Sequence, residues 1–401
     1  ATDEMLSQFF PHIKEKPLSE RVKSRDAFVY LDRVMWSFGW TVPENKRWDL
    51  HYKLWSTFVT LLIFILLPIS VSVEYIQRFK TFSAGEFLSS IQIGVNMYGS
   101  SFKSYLTMMG YKKRQEAKMS LDELDKRCVC DEERTIVHRH VALGNFCYIF
   151  YHIAYTSFLI SNFLSFIMKR IHAWRMYFPY VDPEKQFYIS SIAEVILRGW
   201  AVFMDLCTDV CPLISMVIAR CHITLLKQRL RNLRSEPGRT EDEYLKELAD
   251  CVRDHRLILD YVDALRSVFS GTIFVQFLLI GIVLGLSMIN IMFFSTLSTG
   301  VAVVLFMSCV SMQTFPFCYL CNMIMDDCQE MADSLFQSDW TSADRRYKST
   351  LVYFLHNLQQ PIILTAGGVF PISMQTNLNM VKLAFTVVTI VKQFNLAEKF
   401  Q

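Results

Sequence analysis

The sequence predicts an all-α polytopic membrane protein with seven transmembrane helices. Its N-terminus is expected in the cytoplasm and its C-terminus outside, with a cytoplasmic helical anchor below the membrane. Three observations carry this reading: long apolar runs, charge concentrated between them, and a lopsided distribution of Lys and Arg. The chain has 401 residues, 52% hydrophobic and 20% charged, with a mean hydropathy of +0.24. Apolar runs lie at Leu54–Val73, Phe87–Met109, Val141–Met168, Ile189–Ile218, Thr272–Phe294, Val301–Met325 and Leu378–Val391. The first holds 20 residues without a charge, the length a helix needs to cross ~30 Å of hydrocarbon. A backbone there must satisfy its hydrogen bonds internally, so each run is read as a helix.

Orientation follows from the basic residues. Nine precede the first run, and the second, fourth and sixth connections hold eight, ten and three. The odd-numbered connections hold two, four and none, so thirty basic residues oppose six. Positive charge in short flanking loops stays in the cytoplasm. This is the reverse of a G-protein-coupled receptor, the alternative seven-helix reading. The net charge of +3 is a topology signal and points to no nucleic-acid partner.

Each segment can be justified in turn. Residues 1–53 form a cytoplasmic N-terminal segment without a signal peptide, in which Ala1–Glu4 reads as a cloning remnant and Met5 as the native start. Within it Pro17–Trp48, with Phe28, Tyr30, Trp36, Phe38 and Trp40, suits either an amphipathic helix on the inner membrane surface or a packed cytoplasmic helix. Residues 54–325 are a six-helix transmembrane ligand-binding region with cytoplasmic helical extensions at 219–271. There Leu225, Leu226, Leu230 and Leu233 recur at helical spacing, a break comes at Glu236–Pro237–Gly238, and Leu245, Leu248, Val252, Leu257 and Leu259 resume. Residues 326–372 supply an anchor helix (Ser342–Asn357) and the Pro/Gly connection Pro361–Pro371. Residues 373–401 are the seventh helix, with Ser373 a plausible N-cap. The third connection, Lys169–Tyr188, is rich in aromatics (His172, Trp174, Tyr177, Phe178, Tyr180, Phe187, Tyr188) with Pro179 and Pro183. It suits a lid over a pocket as well as an interfacial aromatic belt.

Eleven cysteines occur, none in the two longer outer loops, so an outer disulfide framework is not expected. Cys207, Cys211, Cys318 and Cys321 read as buried thiols, since no second Cys/His pair stands at zinc spacing. No phosphate loop, HExxH or GxSxG is present, so neither enzyme nor cofactor is expected. Asp326–Asp327 could suggest a metal site, but solvated charges at a helix end fit better.

Charges within spans carry a functional hypothesis because each costs at least ~2.5–3.5 kcal/mol near the bilayer centre. Lys103 is expected to snorkel to the inner interface. Glu194 and Arg198, one turn apart, either pair with each other or line a polar vestibule. Asp205 and Asp209 repeat that spacing and are expected to face protein or water. On the last helix Asn379, Lys382, Thr386, Thr389, Gln393 and Leu396 are spaced 3, 4, 3, 4, 3 and keep one mostly polar face. Such a stripe must contact other helices or a water-filled pore, and a pore would require several subunits. A cavity wall is expected from the outer halves of spans two, three, four and six: Ile93, Met97 and Tyr98; Tyr151 and Tyr155; Val195, Gly199 and Phe203; and Phe306. It is apolar with a few hydroxyls and suits a small uncharged organic ligand. Burying about six methylenes at ~0.8 kcal/mol each gives roughly 5 kcal/mol before the costs of binding, which fits a reversible sensor.

Three segments resemble the insect odorant receptors, in wording similar to antennal tuning receptors of fruit flies. They are Phe370-Pro-Ile-Ser-Met with Lys382-Leu-Ala-Phe-Thr-Val-Val-Thr389-Ile-Val-Lys-Gln393-Phe, then Gln313-Thr-Phe-Pro-Phe-Cys318-Tyr-Leu-Cys-Asn322, and Tyr347-Lys-Ser-Thr350 followed by Gln360-Pro361. The resemblance covers Met5–Gln401. It implies a ligand-gated non-selective cation channel in the plasma membrane of sensory dendrites, built as a heterotetramer with the odorant coreceptor. It also implies a volatile odorant bound between spans two to six, and subunit contacts in the cytoplasmic anchor. The seventh helix would line the pore with Thr389 and Gln393, and the apolar gate would lie nearest Leu396. The coreceptor's corresponding tail has an apolar residue where Gln393 stands, and its long cytoplasmic insertion is missing here, so the resemblance implies a tuning subunit.

Overall fold

The computed structural model describes residues 10–41, 49–81, 84–170, 176–177, 185–293 and 297–393. Its helices are α1 (Val29–Ser37), α2 (Asp49–Leu61), α3 (Leu67–Arg78), α4 (Ala84–Met109), α5 (Tyr111–Asp125) and α6 (Asp131–Lys169). They continue as α7 (Phe187–Arg231), α8 (Glu241–Phe293), α9 (Leu297–Phe336), α10 (Arg345–Leu358) and α11 (Met374–Gln393). Two short antiparallel strands, β1 (Thr365–Ala366) and β2 (Phe370–Pro371), precede α11.

Over their described residues all seven apolar runs are helical. The first is α2 and α3 joined through a π turn at Leu62–Leu66. Pro68 has no N–H to return to the carbonyl four residues earlier, and the helix widens there. Among the described residues, four helical stretches are apolar enough to cross a membrane by length and composition: Asp49–Gln77, Phe187–Arg231, Glu241–Phe293 and Val303–Phe336. The other three runs, in α4, α6 and α11, dilute their apolar character with Gln, Asn, Ser, Thr and Tyr.

The helices form a bundle around α7, whose residues 204–219 are buried without a break. Helices α6, α8 and α9 pack against it, α4 packs on α8, and α11 lies on α8 and α9. At one end of the bundle α6, α7, α8 and α9 run on beyond the apolar zone and combine with α5 and α10 into a charged base. The base is therefore an extension of the spanning helices, and its core contains Leu121, Leu226, Leu230, Leu248, Leu335, Leu351 and Phe354. Ion pairs tie its elements together: Arg229 reaches Glu133 and Asp254, both at 2.6 Å. Of the acidic pair that follows the sixth run, Asp326 is exposed but Asp327 is not solvated. It is buried and held at 2.8 Å by both Arg220 and Lys227.

The N-terminal segment is a packed part of this base. Phe28, Tyr30, Leu31, Met35, Phe38 and Trp40 are buried in its core, while Trp36 stays exposed. A fastening point lies at Ser24, where the backbone N–H donates to Asp125 Oδ2 at 2.7 Å. Its hydroxyl donates to Asp125 Oδ1 at 2.6 Å and lies 2.9 Å from His222 Nε2. With its one proton given to the carboxylate, the Ser24 oxygen accepts from a neutral imidazole carrying its proton on Nε2. Burial, the largest cause, pushes Asp125 up to about 6 against the lowering effect of the Ser24 hydrogen bonds. Burial, with Arg229 and His140 nearby, holds His222 down to about 3. Ser24 is fully buried, so this Ser, Asp and His grouping is a clasp closed to any substrate.

Helix ends follow their sequence signals. Asp344 caps α10, accepting from the Tyr347 N–H at 2.7 Å. Ser373 caps α11, accepting from the Thr376 N–H at 3.2 Å. Between them the Pro/Gly stretch makes the small hairpin, with Gly367 and Gly368 at positive φ. A side chain on Gly367 would collide with the Phe274 ring.

Candidate ligand cavity and the buried charge cluster

Two adjoining compartments open among the membrane helices. One, of about 140 Å³, lies between α4, α7 and the π turn, and includes Ile63, Ile93, Asn96, Met97, Arg198 and Asp205 in its wall. The second, of about 270 Å³, lies between α6, α7 and α9, and includes Tyr151, Ala154, Tyr155, Met312 and Gln313. Asn96, Phe158, Val202, Asp205 and Phe306 belong to both. A dry apolar cavity of ~150 Å³ already admits a guest the size of benzene. The larger compartment alone therefore has room for a small organic molecule.

Helical periodicity places this wall. On α4, Ile93, Asn96, Met97, Ser100, Ser101 and Ser104 follow one inner face. On α6 the face is Tyr151, Tyr155 and Phe158, and on α7 it is Arg198, Val202 and Asp205. Of the residues singled out in the sequence, Ile93, Met97, Tyr151, Tyr155 and Phe306 border the compartments. Four others lie elsewhere. Tyr98 points to the opposite side of α4, hydrogen-bonded to Ser72 and at 3.4 Å to the Pro68 carbonyl. Val195, Gly199 and Phe203 occupy a stripe one residue, or about 100°, out of phase with the inner face of α7. There Phe203 stacks on His152 at 5.0 Å, and Gly199 faces Leu159. Asn96, Phe158, Val202, Asp205 and Gln313 were not anticipated, although Asn96 sits three residues from Ile93 on the same face.

Beside the cavity the charges cluster. Lys103 does not snorkel: it is 1% exposed and lies 2.8 Å from both Asp205 and Asp209. Asp209 also accepts from the Tyr155 hydroxyl at 2.7 Å. Gln313 donates to Tyr155 at 2.8 Å, Gln276 donates to Gln313 at 2.7 Å, and Lys103 donates back to Gln276. Five side chains, one each from α4, α6, α7, α8 and α9, thus close a ring, and Asp205 joins it through Lys103. Asp205 and Asp209, one turn apart, present two carboxylates to one ammonium from another helix, which offsets the desolvation that a lone charge would suffer. Glu194 and Arg198 are both buried. Arg198 borders the smaller compartment, and Glu194 accepts from the Met176 N–H at 3.3 Å.

Of the aromatic third connection, His172, Trp174, Phe178, Pro179, Tyr180 and Pro183 lie outside the described residues. Met176 is buried against Leu67, Val71 and Met97, and Tyr177 exchanges two hydrogen bonds with Ser70. On α11 the buried face is Ala384 and Val388, packed on Ile280, Val283, Leu284, Met288 and Val310. Asn379, Lys382, Thr386, Thr389 and Gln393 are exposed. Thr386 and Thr389 donate to their own helix's carbonyls of Lys382 and Phe385 at 3.0 and 2.9 Å. Leu396 lies outside the described residues.

The 7tm Odorant receptor family profile matches residues 83–385. The chain is 78% identical over 397 residues to Odorant receptor 22a of Drosophila melanogaster, covering 99% of this chain and 100% of that protein. It is 42% identical to Odorant receptor 59b of the same fly, covering 98% and 99%. Among solved structures it resembles the insect olfactory receptor OR5 from Machilis hrabei. The TM-score is 0.73 at 14% identity, covering 92% of this chain and 97% of that one. The same receptor in complex with eugenol matches at 0.71 and 15% identity, with the same coverage.

Proposed function

The chain belongs to the 7tm odorant receptor family, and from that premise we propose that it is the tuning subunit of an odorant-gated, non-selective cation channel assembled with the odorant coreceptor. A small uncharged volatile, ester-like in size and polarity, binds in the two compartments bordered by Met97, Tyr151, Tyr155 and Phe306. The complex of OR5 with eugenol supports a small organic ligand for a protein of this fold. The wall is largely apolar, with asparagine, serine and tyrosine groups to orient a carbonyl or ether oxygen. The charged base is the cytoplasmic anchor, so the N-terminus is inside and the protein resides in the plasma membrane of sensory dendrites.

The observation that carries the channel reading is the polar stripe of α11. A membrane helix that turns Lys382, Thr386, Thr389 and Gln393 away from its own bundle meets either lipid, which solvates such groups poorly, or water shared with other subunits. Lining an intersubunit pore satisfies them. Thr389 and Gln393 then face the conduction path, and Leu396 stands nearest its outer, apolar gate. Ligand bound preferentially to the open arrangement shifts the closed–open equilibrium toward conduction. The test is to express the chain with and without the coreceptor and record odorant-evoked current while G-protein signalling is blocked. Current that persists under the block and needs the coreceptor is the expected result; its loss under the block would sink the channel reading.

A further inference from the structure

We propose that the Met312–Pro316 turn of α9 is the coupling element through which an occupied cavity acts on the pore helix. This rests on the channel reading above and adds the residues that transmit the signal. Pro316 lies inside α9 and has no N–H, so the carbonyl of Met312, four residues earlier, has no helical partner. The Tyr151 hydroxyl donates to that carbonyl at 2.8 Å. The weak point of α9 is thus held by a side chain that borders the larger compartment. The next residue, Gln313, donates to Tyr155, another cavity side chain, at 2.8 Å and accepts from Gln276 of α8 at 2.7 Å. The residue after that, Thr314, is buried and donates to Asn377 of α11 at 3.4 Å.

Three consecutive residues therefore connect two tyrosines of the cavity wall, the ionic ring and the pore helix. They do so at the place where α9 lacks a backbone hydrogen bond and bends most easily. Gln276 and Gln313 each lie within a turn of residues that seat α11, Ile280 and Val310 respectively. A ligand that displaces Tyr151 or Tyr155 alters the support of this turn, and the turn carries the displacement to Asn377. A change of hydrogen-bond partner at this turn would supply the two arrangements that such coupling requires.

Gln276 borders neither compartment, which separates coupling from binding. The experiment co-expresses Gln276→Met and Pro316→Ala with the coreceptor, using pentyl acetate as the probe ester. Surface biotinylation, saturation-transfer NMR for binding, and single-channel open probability at saturating ester are measured together. Each variant is expected to keep a saturable ester site, its apparent affinity weakened by no more than the loss in gating, while its open–closed equilibrium constant at saturation falls about fivefold or more, the scale of a typical coupling energy. Pro316→Ala restores an ordinary helical hydrogen bond, so it decides the matter if Gln276→Met does not reach the surface. Open probability indistinguishable from wild type in the surface-expressed variants would overturn the coupling role while leaving the channel reading intact. A wild-type receptor that binds the ester yet passes no current with the coreceptor would overturn both.

Discussion

Lys103 is the residue on which burial and charge most sharply oppose each other. An ammonium 1% exposed between Asp205 and Asp209 is tolerable because its partners are fixed by one turn of α7 and further held by Tyr155. Removing one member of a buried ionic group typically costs about 3–5 kcal/mol, because the remaining charges keep their desolvation without their attraction. Lys103→Met is therefore expected to lower thermal stability and surface expression sharply. Adding Asp205→Asn and Asp209→Asn to it recovers most of the loss. Unfolding midpoints of the detergent-purified proteins check both halves, and a single variant as stable as wild type contradicts the assignment. The sequence displayed the Asp205–Asp209 spacing plainly. Their partner was not legible, because Lys103 lies about a hundred positions away, and its position near a span end suited snorkelling equally well. Cross-helix pairing is a tertiary fact that local spacing does not encode.

Helical elements were more legible than their rotation about their own axes. All seven apolar runs, the break near Pro237, the anchor helix expected at Ser342–Asn357 and found at Arg345–Leu358, and the Ser373 cap follow from periodicity and capping chemistry. On α4 and α6 helical spacing leads to Ile93, Met97, Tyr151 and Tyr155, which border the compartments. On α7 Val195, Gly199 and Phe203 lie one residue out of phase with the compartment-facing Arg198, Val202 and Asp205, since that helix is apolar on nearly every side and offers no polar face to fix its phase. Helix α11 is the opposite case, with a clear polar stripe and a clear apolar one. Substitutions on its two faces should separate. Ala384→Leu, 1% exposed in the starting protein, overpacks the contact with α8 and α9 at a cost of about 1–3 kcal/mol. Thr389→Val and Gln393→Leu sit on the exposed face and should leave stability unchanged while altering ion permeation. Unfolding curves alongside reversal potentials in mixed cations distinguish the two outcomes, and a large stability loss from Gln393→Leu would place that face in a packed interface.

At the scale of the whole molecule, the basic partition that orients the chain is also what builds the base, because Arg127, Arg220, Lys227 and Arg229 are spent on its internal ion pairs. The clasp of Ser24 on Asp125 and His222 joins the N-terminal segment to that base, and its two titrating groups oppose each other in pH. Asp125 has a folded pKa raised to about 6. The folded state binds its proton more readily than the unfolded chain does, so this group's contribution is fully present at low pH and is lost as pH rises through about 6. His222 is held down to about 3. The unfolded chain takes that proton first, so its contribution is present above the ordinary imidazole range near 6.5 and is lost as pH falls toward 3. Between pH 4 and 6 the slopes have opposite sign and similar size, each at most about 1.4 kcal/mol per pH unit. The clasp as a whole should therefore respond weakly to acid. Breaking the balance exposes each half: Asp125→Asn leaves His222 alone, and the variant should lose stability relative to wild type as the pH is lowered from 7 to 5. His222→Gln leaves Asp125 alone, and that variant should gain relative to wild type over the same interval. Thermal midpoints of the purified proteins at pH 7, 6 and 5 read both signs, and curves for the two variants that run parallel to wild type would show that folding shifts neither group's pKa.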